Sequence, residues 1–220
     1  MSEELNSSKL GTLEYWERAY EQELENFNQF GDEGEIWFGA QTAKRVINWL
    51  TNKQLDRGNT RCIDIGCGNG FSCCMMAEAG FRQIVGVDYS EKAINLAKSI
   101  AESKKLSIEY KVTDVLDSNA KYDDQFDVAI DKGTYDAISL CPDDPKNKRF
   151  LYKDYLKKIL NQNAFFVITS CNWTSKELQE FFSENKDFKF VEEIKASSSF
   201  SFGGSTGSTT STLVFEFNSK

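Results

Sequence analysis

Arg61-Cys-Ile-Asp-Ile-Gly-Cys-Gly-Asn-Gly70, with Val85-Gly-Val-Asp88 after it, is the stretch on which the fold turns. A short apolar run leads into glycines at alternate positions, the pattern of a strand that ends in a tight loop opening a helix. Without a Cβ at Gly66, Gly68 or Gly70, the loop backbone can lie directly against a ligand. The next apolar run ends in Asp88. In a β-α-β unit an acid at that strand tip reaches the ribose hydroxyls of a nucleoside. The segment reads as a nucleoside-cofactor site.

Spacing narrows the choice of nucleoside. The dinucleotide fingerprint G-x-G-x-x-G needs glycine at position 71, where this chain has Phe71. The chain instead places Asp64 two residues before the first glycine. An acid at the mouth of the loop repels a pyrophosphate. It suits a cationic amino-acid tail such as the α-ammonium of S-adenosylmethionine. A dehydrogenase is further disfavoured because no tyrosine is followed four residues later by lysine.

The 220 residues suit one domain with a substantial core, and the scarcity of proline beside 17 Phe, 8 Tyr and 4 Trp argues for a compact chain. A formal net charge of −8 makes nucleic acid a poor partner and a basic protein surface a better one. Histidine is absent, which removes Ser-His-Asp, Cys-His and histidine-base mechanisms. The six cysteines, at 62, 67, 73, 74, 141 and 171, contain no C-x-x-C pair. Neither a metal site nor a disulfide framework is expected, and reduced thiols point to the cytoplasm. Residues 1–8 lack the apolar core of a signal peptide, and no apolar run approaches the ~20 residues of a membrane span.

Along the chain, residues 1–9 read as a flexible tail and 10–220 as a single domain. Within it, 10–50 form a helical cap and 60–220 a sheet core. Leu13, Trp16, Tyr20, Leu24 and Phe27 recur at helical spacing over 10–30, and a second helix is expected over 40–50. Strands follow near 61–65, 83–88, 108–112, 126–131, 164–170, 188–195 and 211–217. Helices lie near 71–80, 91–104, 146–160 and 175–185. Alternation of this kind gives a mostly parallel α/β sheet covered on both faces. No helix separates the last two strands, so they should pair antiparallel, with the Ser/Gly-rich connector between them a mobile hairpin loop. Seven strands with one reversed is the Rossmann-like pattern of Class I methyltransferases.

Several side chains fall where chemistry would occur. Asp114 and Val115 follow the third strand, placed to serve an adenine edge; a turn acid is the plain alternative for Asp114. Asp131 ends the fourth strand at the switch point of the sheet, where ligands sit in such folds. It could steer a cation, orient the cofactor, or cap a helix. A lysine acceptor starts near pKa ~10.4 and must be desolvated to react. Aromatic rings suit a channel that does this, and Trp16, Tyr20, Trp37, Phe38, Tyr135 and Trp173 are the candidates, each of them equally at home in a core. Residues 14–35 are rich in acids with Arg18 the sole base, either a solvated helix face or a surface for a basic partner.

Five segments carry a resemblance. They are Leu10-Gly-Thr-Leu-Glu-Tyr-Trp-Glu-Arg-Ala-Tyr20, Gly31-Asp-Glu-Gly-Glu-Ile-Trp-Phe-Gly39, Asp64-Ile-Gly-Cys-Gly-Asn-Gly70, Asp131-Lys-Gly-Thr-Tyr-Asp-Ala-Ile138 and Phe202-Gly-Gly-Ser-Thr-Gly207. Together the chain resembles the eukaryotic elongation factor 1A lysine methyltransferase family over nearly all its length beyond residue 9. The resemblance implies transfer of methyl groups from S-adenosylmethionine to a lysine of elongation factor 1A in the cytoplasm; a monomer that engages neither membrane nor nucleic acid is expected. Carried residue by residue, it implies cofactor contacts from Asp64, Gly66, Cys67, Gly68 and Gly70, from Asp88 and Tyr89, and from Asp114 and Val115. Trp16, Trp37 and Asp131 complete that set, and Asp131 and Tyr135 take the catalytic place. The glycine loop alone is common to all Class I methyltransferases and says nothing of the acceptor. Two other classes stay open: a methyltransferase for another protein or a small molecule, and a non-catalytic S-adenosylmethionine-binding module.

Overall fold

The computed structural model describes residues 4–118, 124–195, 200–202, 205–207 and 210–218. Helices α1 (Leu13–Phe30) and α2 (Ala40–Asn52) precede strand β1 (Arg61–Ile65). There follow α3 (Phe71–Glu78), β2 (Gln83–Asp88), α4 (Glu91–Ser103), β3 (Glu109–Val112) and β4 (Phe126–Lys132). The remainder is α5 (Thr134–Ser139), α6 (Pro145–Ile159), β5 (Leu160–Ser170), α7 (Ser175–Ser183), β6 (Phe188–Glu193), β7 (Phe200–Phe202), β8 (Ser205–Gly207) and β9 (Ser211–Phe217).

The main sheet has seven strands in the order β3-β2-β1-β4-β5-β9-β6. β1 pairs parallel with both β2 and β4, and the order reverses there, so the switch point lies between β1 and β4. β9 runs antiparallel to β5 and to β6, the reversed strand expected from the missing helix. Both faces of the sheet are dry because successive side chains alternate. Ile63, Ile65, Val85 and Ala129 face α5, α6 and α7 through Tyr135, Tyr152, Leu156 and Phe182. Cys62, Ile84, Val128 and Ile130 face α2, α3 and α4 through Leu50, Met76, Ile94 and Ala97.

The N-terminal part is fastened to this core. Thr12 caps α1 by accepting from Tyr15 N–H, and Gly31 ends it in a left-handed conformation with φ 73°. Tyr20, Leu24 and Phe27 pack on Ala93, Leu96 and Ile100 of α4. Of residues 1–9, expected as a flexible tail, the described ones include two points of attachment to the core. The Glu4 carboxylate takes both terminal nitrogens of Arg149, and Ser8 N–H donates to Leu140 O. A bidentate pair of this kind, with Arg149 itself buried, fixes a chain end better than composition foretells.

Other departures are local. α5 was not expected; it is short and starts from Gly133 at φ 99°. β5 begins at Leu160, earlier than position 164, because Leu160 pairs with Phe126 before a register shift. The Ser/Gly-rich connector lies largely outside the described residues, and its described parts, β7 and β8, pair antiparallel with each other. Among the described residues no helix is long and apolar enough to cross a membrane.

Candidate functional site

A cavity of about 650 Å³ opens over the carboxyl ends of β1 to β5. Its floor is the set of loops that leave those strands, as the topology of an open parallel sheet requires. Gly66, Cys67, Gly68 and Asn69 come from β1, Asp88 and Tyr89 from β2, and Thr113 to Leu116 from the end of β3. Lys132, Gly133 and Thr134 come from β4, and Cys171 and Asn172 from β5. The roof is Thr12, Leu13, Trp16 and Tyr20 of the N-terminal segment with Glu35, Trp37 and Phe38 of the following loop.

The roof is held by aromatic and hydrogen-bond contacts. Trp16 meets Trp37 edge-on at 5.0 Å and stacks on Tyr20 at 5.9 Å. The Trp16 indole N–H donates to Leu10 O at 2.8 Å. Asn69, within the glycine loop, donates from its amide to Glu33 O at 2.9 Å and so ties floor to roof. Two glycines make room for neighbouring side chains: a Cβ at Gly66 would overlap the Thr134 hydroxyl, and one at Gly68 the Tyr20 hydroxyl. Part of the space that glycine leaves is thus filled by the protein itself.

The acceptors Asp88 and Asp114 suit a nucleoside, and the glycine loop offers a pyrophosphate few free N–H groups. The loop N–H groups a phosphate would need are already spent: Cys67 N–H on Val87 O, Gly68 N–H on Asp88 and Gly70 N–H on Cys67 O. Asp88 accepts from Gly68 N–H and Ser90 N–H, each at 3.0 Å. One bond on each oxygen leaves further acceptor capacity for a ligand hydroxyl pair. Burial pushes Asp88 up to about 6 against the lowering effect of those N–H groups. Asp114 lines the cavity and its carboxylate accepts from Leu116 N–H at 2.9 Å, with Val115 and Leu116 beside it. The sequence-derived residues Trp16, Tyr20, Trp37, Phe38, Gly66, Cys67, Gly68, Asp88, Tyr89, Asp114 and Val115 therefore converge on one cavity.

Five do not. Tyr135 turns into the core among Tyr152, Trp173, Phe181 and Phe182 and does not line the cavity, and Trp173 is in the same cluster. Gly70 starts α3 with φ 76° and leaves room for the Tyr110 ring and Ala97. Asp64 lies behind the loop, where the Cys73 thiol donates to it at 3.6 Å. Burial pushes it up to about 6, moderated by the charge of Lys132 and by that thiol. Asp131 is fully buried on the α6 face and caps α5, accepting from Thr134 N–H, Tyr135 N–H and the Tyr152 hydroxyl. Of the roles weighed for it, helix capping is the one its contacts carry. Burial pushes Asp131 up to about 7, opposed by the Tyr152 hydrogen bond.

Sequence reasoning missed Lys132, Thr134 and Asp136, all of them in the segment it singled out for Asp131. Thr134 donates its hydroxyl to Ile65 O at 2.7 Å, bridging β1 and β4. Asp136 lines the cavity, accepts from the Ser170 hydroxyl and from Cys171 N–H, and is raised by burial. The usable signal was strand alternation: if Asp131 faces the core, Lys132 faces the other way.

Known proteins sharpen the reading. A methyltransferase-domain family model matches residues 56–213. EEF1A lysine methyltransferase 2 of the mouse, Mus musculus, is 45% identical over 210 residues, covering 95% of this chain and 84% of that protein. The protein-lysine N-methyltransferase efm4 of the fission yeast Schizosaccharomyces pombe is 38% identical, covering 97% of this chain and 96% of its own length. Among solved structures, the N-methyltransferase NodS of Bradyrhizobium japonicum, crystallised with S-adenosylhomocysteine, has a similar fold at a TM-score of 0.65 and 16% identity. That likeness covers 92% of this chain and 98% of NodS.

Proposed function

This chain belongs to the methyltransferase-domain family, on the branch of the elongation factor 1A lysine methyltransferases, and we propose that it methylates a lysine side chain of elongation factor 1A in the cytoplasm. When bound, S-adenosylmethionine supplies a methyl group on a positively charged sulfur. The observation that carries the reading is the convergence of the glycine loop, Asp88 and Asp114 on one cavity roofed by Trp16 and Trp37.

Each wall has a task. Asp88 accepts hydrogen bonds from the ribose, and its two backbone N–H partners hold it in position for this. Asp114, Val115 and Leu116 bound the base. Gly66 and Gly68 let the amino-acid tail lie close to the loop. Trp37 and Phe38 enclose the β4–β5 side of the cavity, where Asp136 provides negative charge for an arriving ammonium. Desolvation among those rings lowers the acceptor pKa and favours the neutral, nucleophilic amine. Alignment in the enclosed site supplies the rest.

The test is to incubate the protein with radiolabelled S-adenosylmethionine and a eukaryotic cytosolic extract, then map labelled proteins by mass spectrometry. Label on a lysine of elongation factor 1A supports the proposal. Label on another protein or on small molecules alone would discard the acceptor, and no label despite cofactor binding would favour a binding module.

A further inference from the structure

Lys132 is the last residue of β4 and lies one position past the Ile65–Asp131 pair, opposite Gly66. Asp131 and Lys132 point to opposite faces of the strand. Asp64, paired with Ile130, therefore shares the face of Lys132 and stands diagonally from it. The side chain lines the cavity and is partly buried. Among the described residues its one hydrogen bond runs to the backbone carbonyl of Trp37 at 3.3 Å, and it makes no ion pair. An ammonium has three donors. A partly buried cation with donors to spare at a cavity wall gains from an anion that completes it.

We propose that Lys132 is the counter-ion for the α-carboxylate of the cofactor, fixing the amino-acid tail beside Gly66 and Gly68. The inference rests on the cofactor reading above and extends it to a residue for which neither the glycine motif nor the ribose acid accounts. Three observations support it. Lys132 lines the cavity at the strand tip where the glycine loop begins, on the far side of that loop from the ribose acid Asp88. Burial lowers the Lys132 pKa from the ordinary lysine value, and the charges of Asp64 and Asp131, neither of which forms an ion pair with it, only partly oppose that shift. Its hydrogen bond to Trp37 O joins it to the roof, so a carboxylate bound there would lie between the glycine loop and the Trp16–Trp37 pair.

The experiment compares ligands that differ only in the tail: S-adenosylmethionine and decarboxylated S-adenosylmethionine, titrated calorimetrically against wild type, Lys132→Met and Lys132→Arg. The wild type should prefer the carboxylate-bearing ligand by about tenfold or more, the worth of a charged hydrogen bond. Lys132→Met should weaken that ligand by a similar factor yet leave the decarboxylated one within about twofold. Lys132→Arg, which keeps the charge, should retain part of the preference. Equal weakening of both ligands would make Lys132 a structural tether of the roof and overturn the proposal, as would unchanged binding. If Lys132→Met does not fold, the wild-type preference decides alone, and its absence overturns the proposal. A wild type that binds neither ligand would overturn the cofactor reading itself.

Discussion

Tyr152 donates its hydroxyl hydrogen bond to Asp131 in the core, on the face of β4 opposite Lys132. The carboxylate also takes Thr134 N–H at 2.8 Å and Tyr135 N–H at 3.0 Å, so one side chain sets the turn from β4 into α5. Asp131→Ala strands three donors and should lower stability by roughly 1–3 kcal/mol. Tyr152→Phe should lower it by less. Because the two share a bond, the double variant should fall short of the sum by about 0.5–3 kcal/mol. Denaturant unfolding of the four proteins measures this, and simple additivity would contradict the pairing.

Asp88 lies at the tip of β2, in contact with the cavity. Asp88→Ala removes the acceptor for Gly68 N–H and for the ribose. Cofactor affinity should fall by roughly 1–3 kcal/mol, the cost of leaving buried polar partners unpaired. Calorimetric titration with S-adenosylhomocysteine reads it, and an affinity equal to wild type would refute the ribose assignment.

The fluorescence of the four tryptophans should report the roof. Trp16 and Trp37 line the cavity, whereas Trp49 packs against Phe165 and Trp173 against Tyr135 in the core. Adding S-adenosylhomocysteine should therefore change wild-type emission, and a Trp16→Phe, Trp37→Phe variant should lose most of that change. A full response from the double variant would place the ligand elsewhere.

Much of this was open to reading in the sequence because period and punctuation coincide. Gly66 to Gly70 mark the turn that opens α3, and apolar runs mark the strands on either side of it. The faces were less legible. In a sheet buried on both sides, alternation says that Asp131 and Lys132 diverge but not which one meets the cavity. Asp131, with its place at the strand tip, drew attention from its neighbour. Tyr135 failed for a related reason: α5 is too short to show a period, so nothing marked its ring as inward. The anchoring of Glu4 by Arg149 joins residues too far apart for any local pattern.

Stability should depend on pH with a sign set by burial. Asp64 and Asp88 are pushed up to about 6 and Asp131 to about 7, whereas the unfolded chain titrates its aspartates near ~3.9. Between about pH 4 and about pH 7 the folded state holds protons that the unfolded state has released, so stability falls as pH rises. The contribution of these groups is complete below about pH 4 and lost above about pH 7. The urea midpoint without ligand should be higher at about pH 5.5 than at about pH 7.5, and Asp131→Asn should reduce the difference. A midpoint that rises with pH over this range would contradict the assignment.

The cavity is expected to bind S-adenosylmethionine and to serve a lysine of elongation factor 1A. The most direct test is purified elongation factor 1A incubated with the protein and methyl-deuterated S-adenosylmethionine, followed by peptide mass spectrometry, with Asp88→Ala in parallel. The expected result is deuterated methyl on a lysine side chain with wild type and little or none with the variant. Unlabelled elongation factor 1A, while the protein still binds the cofactor, would contradict the claim.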